Sequence, residues 1–353
     1  SLKIIREFGN NDFKSALEAL LKKNEKDEFL ESDSEVRDNA EKALSSIERR
    51  QFFINQIANL FYGMSLGSIL LLAALGLAIT FGLMGVINMA HGEMLMIGAY
   101  STFLIQNLFK QYLPNFFDWY LIAAIPTAFI VSGVVGILME RSVIRHLYGR
   151  PLETLLATWG ISLILIQTIR LIFGAQNVEV ANPSYLSGGI QAFNGVVLPY
   201  NRIAIIMFVV LVVISVWTLL QKTSLGLQVR AVTQNRKMAS CMGISTNKID
   251  MYTFGLGSGV AGLGGLALSQ GGNVGPELGQ LYIVDSFMVV VTGGVGKIAG
   301  TVAGALGLGV INKFLEPVAG AVLGKIIVLV LIVILIQKRP QGLFAPKGRM
   351  IDN

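Results

Sequence analysis

The sequence predicts an all-α polytopic membrane protein of about nine membrane segments, one of them short or re-entrant, with a small helical head at the N-terminus. Three observations lead there. The 353 residues are 53% hydrophobic and only 14% charged, and the mean hydropathy of +0.63 does not fit a soluble two- or three-domain chain. From Ile57 onward, apolar runs of membrane-spanning length recur. Charge is concentrated ahead of them, because residues 1–50 hold 10 Lys/Arg and 12 Asp/Glu, against 18 and 10 in the other 303.

The head, residues 1–52, reads as amphipathic helices. Phe13, Ala16, Leu17, Leu20 and Leu21 fall at helical spacing, followed by Val36, Ala40, Ala43, Leu44 and Ile47, with Asp33 and Ser34 as the cap of the second helix. The run from Asp33 to Leu44 resembles the second helix of a HEAT-type repeat, and one such copy cannot bury a core alone. With no initiator Met and no signal peptide, the chain is read as a processed or truncated part of a longer one. Residues 53–348 form the membrane body, and 349–353 a short tail.

Spans are expected near 57–83, 93–109, 118–139, 153–173, 203–221, 250–269, 298–314 and 319–337. A ninth, 281–294, is short and ends in Gly293, Gly294 and Gly296, which suggests a broken or re-entrant helix. Lys and Arg set the orientation. The loops at 141–152, 222–248 and 338–349 carry twelve of them, against four (Lys110, Arg202, Lys313 and Lys325) on the other side. The first set is therefore expected in the cytoplasm, with the C-terminus inside and the head outside. Gly174 to Arg202 becomes a long outer loop without obvious structure.

This placement of basic residues in short inter-span loops argues against nucleic-acid binding. One cysteine, Cys241, excludes an intrachain disulfide and a cysteine metal site, and two histidines, His91 and His146, leave little metal chemistry. Gly293-Gly294-Val295-Gly296-Lys297 looks like a phosphate loop, but Val291 and Ile298 stand where a Walker A motif needs Gly and Ser/Thr. Its glycines read instead as close helix packing, a theme repeated at Gly63/Gly67, Gly255/Gly259 and Gly300/Gly304.

The segment Gly85 to Glu93 sets Asn88, His91 and Glu93 between two apolar helices. Two readings stand: Glu93 caps the second span through the helix dipole, or the three side chains line a transport path. Asp285, inside the short segment, either pairs with a cation or meets the solute, and Arg170 is expected to snorkel to the interface. The basic stretch Gly226 to Ile244 is helical in pattern and suits docking into a partner groove. Nothing converges into a nucleophile, base and oxyanion set, so no enzyme is expected.

Together with Asn88-Met89-Ala90-His91-Gly92-Glu93 and Arg339 to Phe344, that basic stretch resembles the permeases of the branched-chain amino acid class of ABC importers, over residues 56–348. The resemblance implies an ATPase coupling helix carried by Gly226, Arg230, Ala231, Asn235, Met238, Ala239 and Gly243. It also implies a second homologous permease chain, two ATPase subunits that hold ATP and Mg, an extracytoplasmic solute-binding protein, and a bacterial inner membrane. No cofactor is implied for this chain. The runs Pro151 to Gly160, Phe173 to Val180 and Arg339 to Arg349 look like the urea permease branch. Urea is small, neutral and rich in hydrogen-bonding groups, which fits a path sparse in charge. The alternatives are a branched-chain amino acid or short-chain amide permease, a passive urea channel, and a membrane anchor whose head is the active part.

Overall fold

A computed structural model describes residues 13–22, 33–193, 196–339 and 342–344. The chain divides into two compact units, one made of residues 1–61 with 188–199 and the other of 62–187 with 200–353. In the first, helix α1 (Lys14–Leu20) and the start of α2 (Ser34–Met84) share a small core of Leu17, Ala40, Ala43 and Ile47. The apolar spacing forecast those contacts. Asp33 Oδ1 accepts the Glu35 amide at 2.8 Å, the expected cap. A two-stranded antiparallel hairpin, β1 (Gly189–Phe193) and β2 (Val196–Pro199), also belongs to this unit. The loop read as structureless therefore holds a hairpin.

The second unit is a helical bundle: the rest of α2, α3 (His91–Tyr112), α4 (Tyr120–Ser142), α5 (Pro151–Phe173), α6 (Tyr200–Lys222), α7 (Ser224–Gln234), α8 (Arg236–Cys241), α9 (Thr246–Ser269), α10 (Leu278–Gly293) and α11 (Ile298–Lys338). Among the described residues six helices are long and apolar enough to cross a membrane, α10 is a shorter apolar helix of 16 residues, and α3 has 22 residues but is more polar. The chain is thus a polytopic, multi-pass membrane protein. α11 is one helix of 41 residues interrupted at Gly320, whose φ of +77° lies in the left-handed region that glycine favours. A Cβ on Gly324 would stand 3.6 Å from Leu315 Cβ, an approach impossible along a straight helix for residues nine apart. The two halves fold back on each other, which accounts for the two separate spans expected at 298–314 and 319–337.

α9 lies at the centre, packed on α3 and α4. Glycine makes that possible, since a Cβ on Gly257 would come within 2.8 Å of Gly76 O on α2. The three glycine pairs named above each face another helix: Gly63 and Gly67 meet the first half of α11, Gly255 and Gly259 meet α4, and Gly300 and Gly304 meet α10. The short segment requires a correction. α10 is continuous for 16 residues, about 24 Å, and runs from one end of the bundle to the other. It starts beside Arg170 at the end of α5, through Glu277, and ends where Leu343 N donates to Thr292 O. It is short but not re-entrant. The break expected there sits in α11, at Gly320.

Candidate functional site

The basic loops at 141–152 and 222–248 gather at one end of the bundle. Thr233 Oγ1 donates to Leu83 O at the end of α2, at 2.8 Å, and the Arg236 guanidinium lies 4.7 Å from the centre of the Tyr148 ring. Arg236 also pairs with Asp250, whose side chain is only 3% exposed. In the loop between α4 and α5, burial pushes the Tyr148 phenol up, and the Asp250 and Glu140 carboxylates push it further.

The segment assigned to coupling forms two short helices at this end. Thr223 caps α7 by accepting the Gly226 amide, and Asn235, in extended backbone, caps α8 by accepting the Met238 amide at 3.0 Å. Gly226 and Ala239 are buried and Ala231 is half-buried. Gly226 sits so close to the Leu220 carbonyl that a side chain would collide with it. Arg230 turns inward and donates to that same carbonyl, so it positions α7 instead of reaching outward. The outward face carries Leu227, Asn235, Met238, Met242 and Gly243, with Met238 62% and Met242 80% exposed. Gly243 ends the element at φ +82°.

Deeper in the bundle, Asn88 and His91 are fully buried and Glu93 is 1% exposed. Asn88 Oδ1 accepts the Ala90 amide at 3.0 Å, and the turn is held to α5 by the Met89 amide on Thr158 Oγ1 at 3.1 Å. His91 Nε2 is 3.0 Å from Ala73 O on α2, so that nitrogen is the donor. Glu93 is the acid in the first turn of α3, where the helix dipole favours it. Its Oε1 accepts from Ser162 Oγ on α5 at 2.7 Å. Asn88 Nδ2, His91 Nδ1 and Glu93 Oε2 have no hydrogen-bond partner among the described residues. The cluster is enclosed by α2, α3, α5 and α10 of this same chain, with Gly279 of α10 against Gly92 and Glu93.

Asp285 lies on another side of α10. Six residues from Gly279 turn about 240° around a helix, so Asp285 faces away from the Glu93 cluster. It pairs with Lys325 of α11 at 3.3 Å. Arg170, near the end of α5, pairs with the exposed Glu277, a contact between residues 107 apart that no local spacing announces.

The family description "Branched-chain amino acid transport system / permease component" matches residues 59–336, nearly the whole bundle. The chain belongs to that family. As such it is a permease subunit, the membrane component and not the enzyme. Among its relatives is the high-affinity branched-chain amino acid transport system permease protein BraD of Pseudomonas aeruginosa, 31% identical over 82% of this chain and 95% of the relative. The corresponding permease LivH of Salmonella typhimurium is 28% identical over 84% and 96%. A ribose import permease protein of Bacillus subtilis is similar over a shorter stretch, 29% identical across 37% of this permease and 44% of that one. No solved structure matches the permease.

Proposed function

We propose that this chain is the membrane permease subunit of an ATP-driven importer for a small solute of zero net charge. It works beside a homologous permease chain in a bacterial inner membrane, with the basic end and C-terminus in the cytoplasm and the head outside. Two ATPase subunits, which hold ATP and Mg, and an extracytoplasmic solute-binding protein complete the system. The observation that carries this is the capped α7–α8 element. It is anchored from within by Arg230 and by Arg236–Asp250, and it presents Leu227, Met238 and Met242 outward at the basic end, where a groove of another protein would bury them.

For the solute, the names of the relatives support a branched-chain amino acid, or a short amide carried by the same architecture. Urea is the second reading, favoured by the runs Pro151 to Gly160 and Phe173 to Val180. The ribose import permease among the relatives is a reminder that likeness of permeases leaves the solute open. Uptake of labelled leucine, urea and acetamide by cells expressing the complete importer decides between them. Saturable leucine uptake unaffected by urea supports the amino acid, the converse supports urea, and uptake of none of the three rejects both.

A further inference from the structure

We propose that the solute path follows the face formed by α10 and the α11 hairpin, and that the Asp285–Lys325 pair is the polar station on it. This rests on the importer reading above. The pair lies at membrane depth: Asp285 is seven residues into α10 and Lys325 five residues beyond the Gly320 turn, so each sits about 7 to 11 Å below that end of the bundle. Asp285 is buried on this chain, whereas the Lys325 side chain is 58% exposed. An ammonium at that depth is costly against lipid tails, and its pairing with Asp285 holds it toward the cleft.

The surroundings favour a path. A cleft of about 180 Å³ opens beside the pair, lined among others by Tyr282, Asp285, Asn312, Glu316 and Lys325. It is roomy enough for a solute of a few heavy atoms. The turn at Gly320, between the two halves of α11, forms the rim of this cleft. Of the neighbouring charges, Glu316 on the cleft wall pairs with Lys313 at 2.6 Å, and Arg202 lies 5.2 Å from the centre of the Tyr62 ring. A carboxylate and an ammonium side by side can hydrogen-bond both ends of a zwitterion, or the carbonyl and amide groups of a neutral amide, and then close on each other once the solute has passed.

Cysteine accessibility in the complete importer tests this, in a Cys241→Ser background. Asn312→Cys and Gly324→Cys place thiols in the cleft, and Gly324 has room for a Cβ at ordinary contact distance. Val330→Cys, turned away from Lys325 on the same helix half, is the lipid-side control. A charged, membrane-impermeant thiosulfonate should modify the two cleft positions at least about tenfold faster than position 330, block uptake, and be slowed by saturating solute. Asp285→Asn and Lys325→Met should each lower uptake about tenfold or more with the ATPase subunits still bound. Cleft thiols no more reactive than the control, or modified without loss of uptake, overturn the assignment. If the parent importer shows no ATP-dependent uptake, the importer reading itself fails, which is a separate result.

Discussion

Asn235→Ala is expected to uncouple transport by loosening α8, not by deleting a contact with another protein. Asn235 Oδ1 accepts the Met238 amide at 3.0 Å and is the side-chain cap of a helix only six residues long. Replacing such a cap with Ala costs about 1 kcal/mol, within a range of roughly 0.5 to 2. Little else within so short a helix offsets that, since α8 holds to the bundle by Ala239 and the Arg236–Asp250 pair. If ordering of α8 is required for docking, about 1 kcal/mol appears as a roughly fivefold weaker affinity for the ATPase subunit. Titration of the ATPase subunit onto the permease in lipid nanodiscs reads this directly. Amide hydrogen exchange across Met238 to Met242 should rise in parallel. Asn235→Ser and Asn235→Asp, which also cap, should return affinity to near the parent value. If Ser and Asp are as impaired as Ala, or Ala is not impaired at all, the capping argument is wrong.

Further outcomes follow from other parts of the bundle. Gly257→Val forces a branched side chain against Gly76 O and Thr80 and should destabilise the permease by about 1 to 3 kcal/mol, seen as a lower unfolding temperature in detergent. Ser162→Ala removes the donor to Glu93 Oε1 and should cost about 1 kcal/mol of stability while leaving uptake unchanged. Glu93→Gln keeps that acceptor and should also transport normally. A steep loss of uptake with the importer assembled would move the path to the Asn88, His91 and Glu93 cluster. For orientation, cysteines at Gln191 and Gln234 in a Cys241→Ser background should label from outside and from inside respectively, and labelling of position 234 from outside in intact cells would invert the topology.

How much of this was legible in the sequence depends on the range of the interaction. Apolar runs, the Asp33 cap, the glycine pairs and the helical character of 226–244 are local signals, and each appears where its spacing placed it. The fold-back in α11 was expected between the spans 298–314 and 319–337, but its place at Gly320 was not, because nothing in Val318-Ala319-Gly320-Ala321 separates a turn from the close-packing glycines elsewhere. The hairpin at 189–199 did carry a local signal, the Asn194-Gly195 pair between the mainly apolar runs 190–193 and 196–198, which favours a two-residue turn. Asp285 was singled out as an acid in need of a partner, yet Lys325, 40 residues away on another helix, could not be chosen from the sequence. The inward turn of Arg230 was equally invisible. The basic pattern indicated a surface offered to a partner, while packing spends that guanidinium on the Leu220 carbonyl.

The measurement that bears most directly on the importer reading is solute accumulation in proteoliposomes holding the complete assembly, with the binding protein outside and ATP-Mg sealed inside. The account predicts concentrative uptake that requires ATP and the ATPase subunits and that is lost when the outward face of α7–α8 is disabled by Met238→Asp with Met242→Asp. Solute entry that equilibrates without ATP, or that survives omission of the ATPase subunits, would show a passive channel and contradict it.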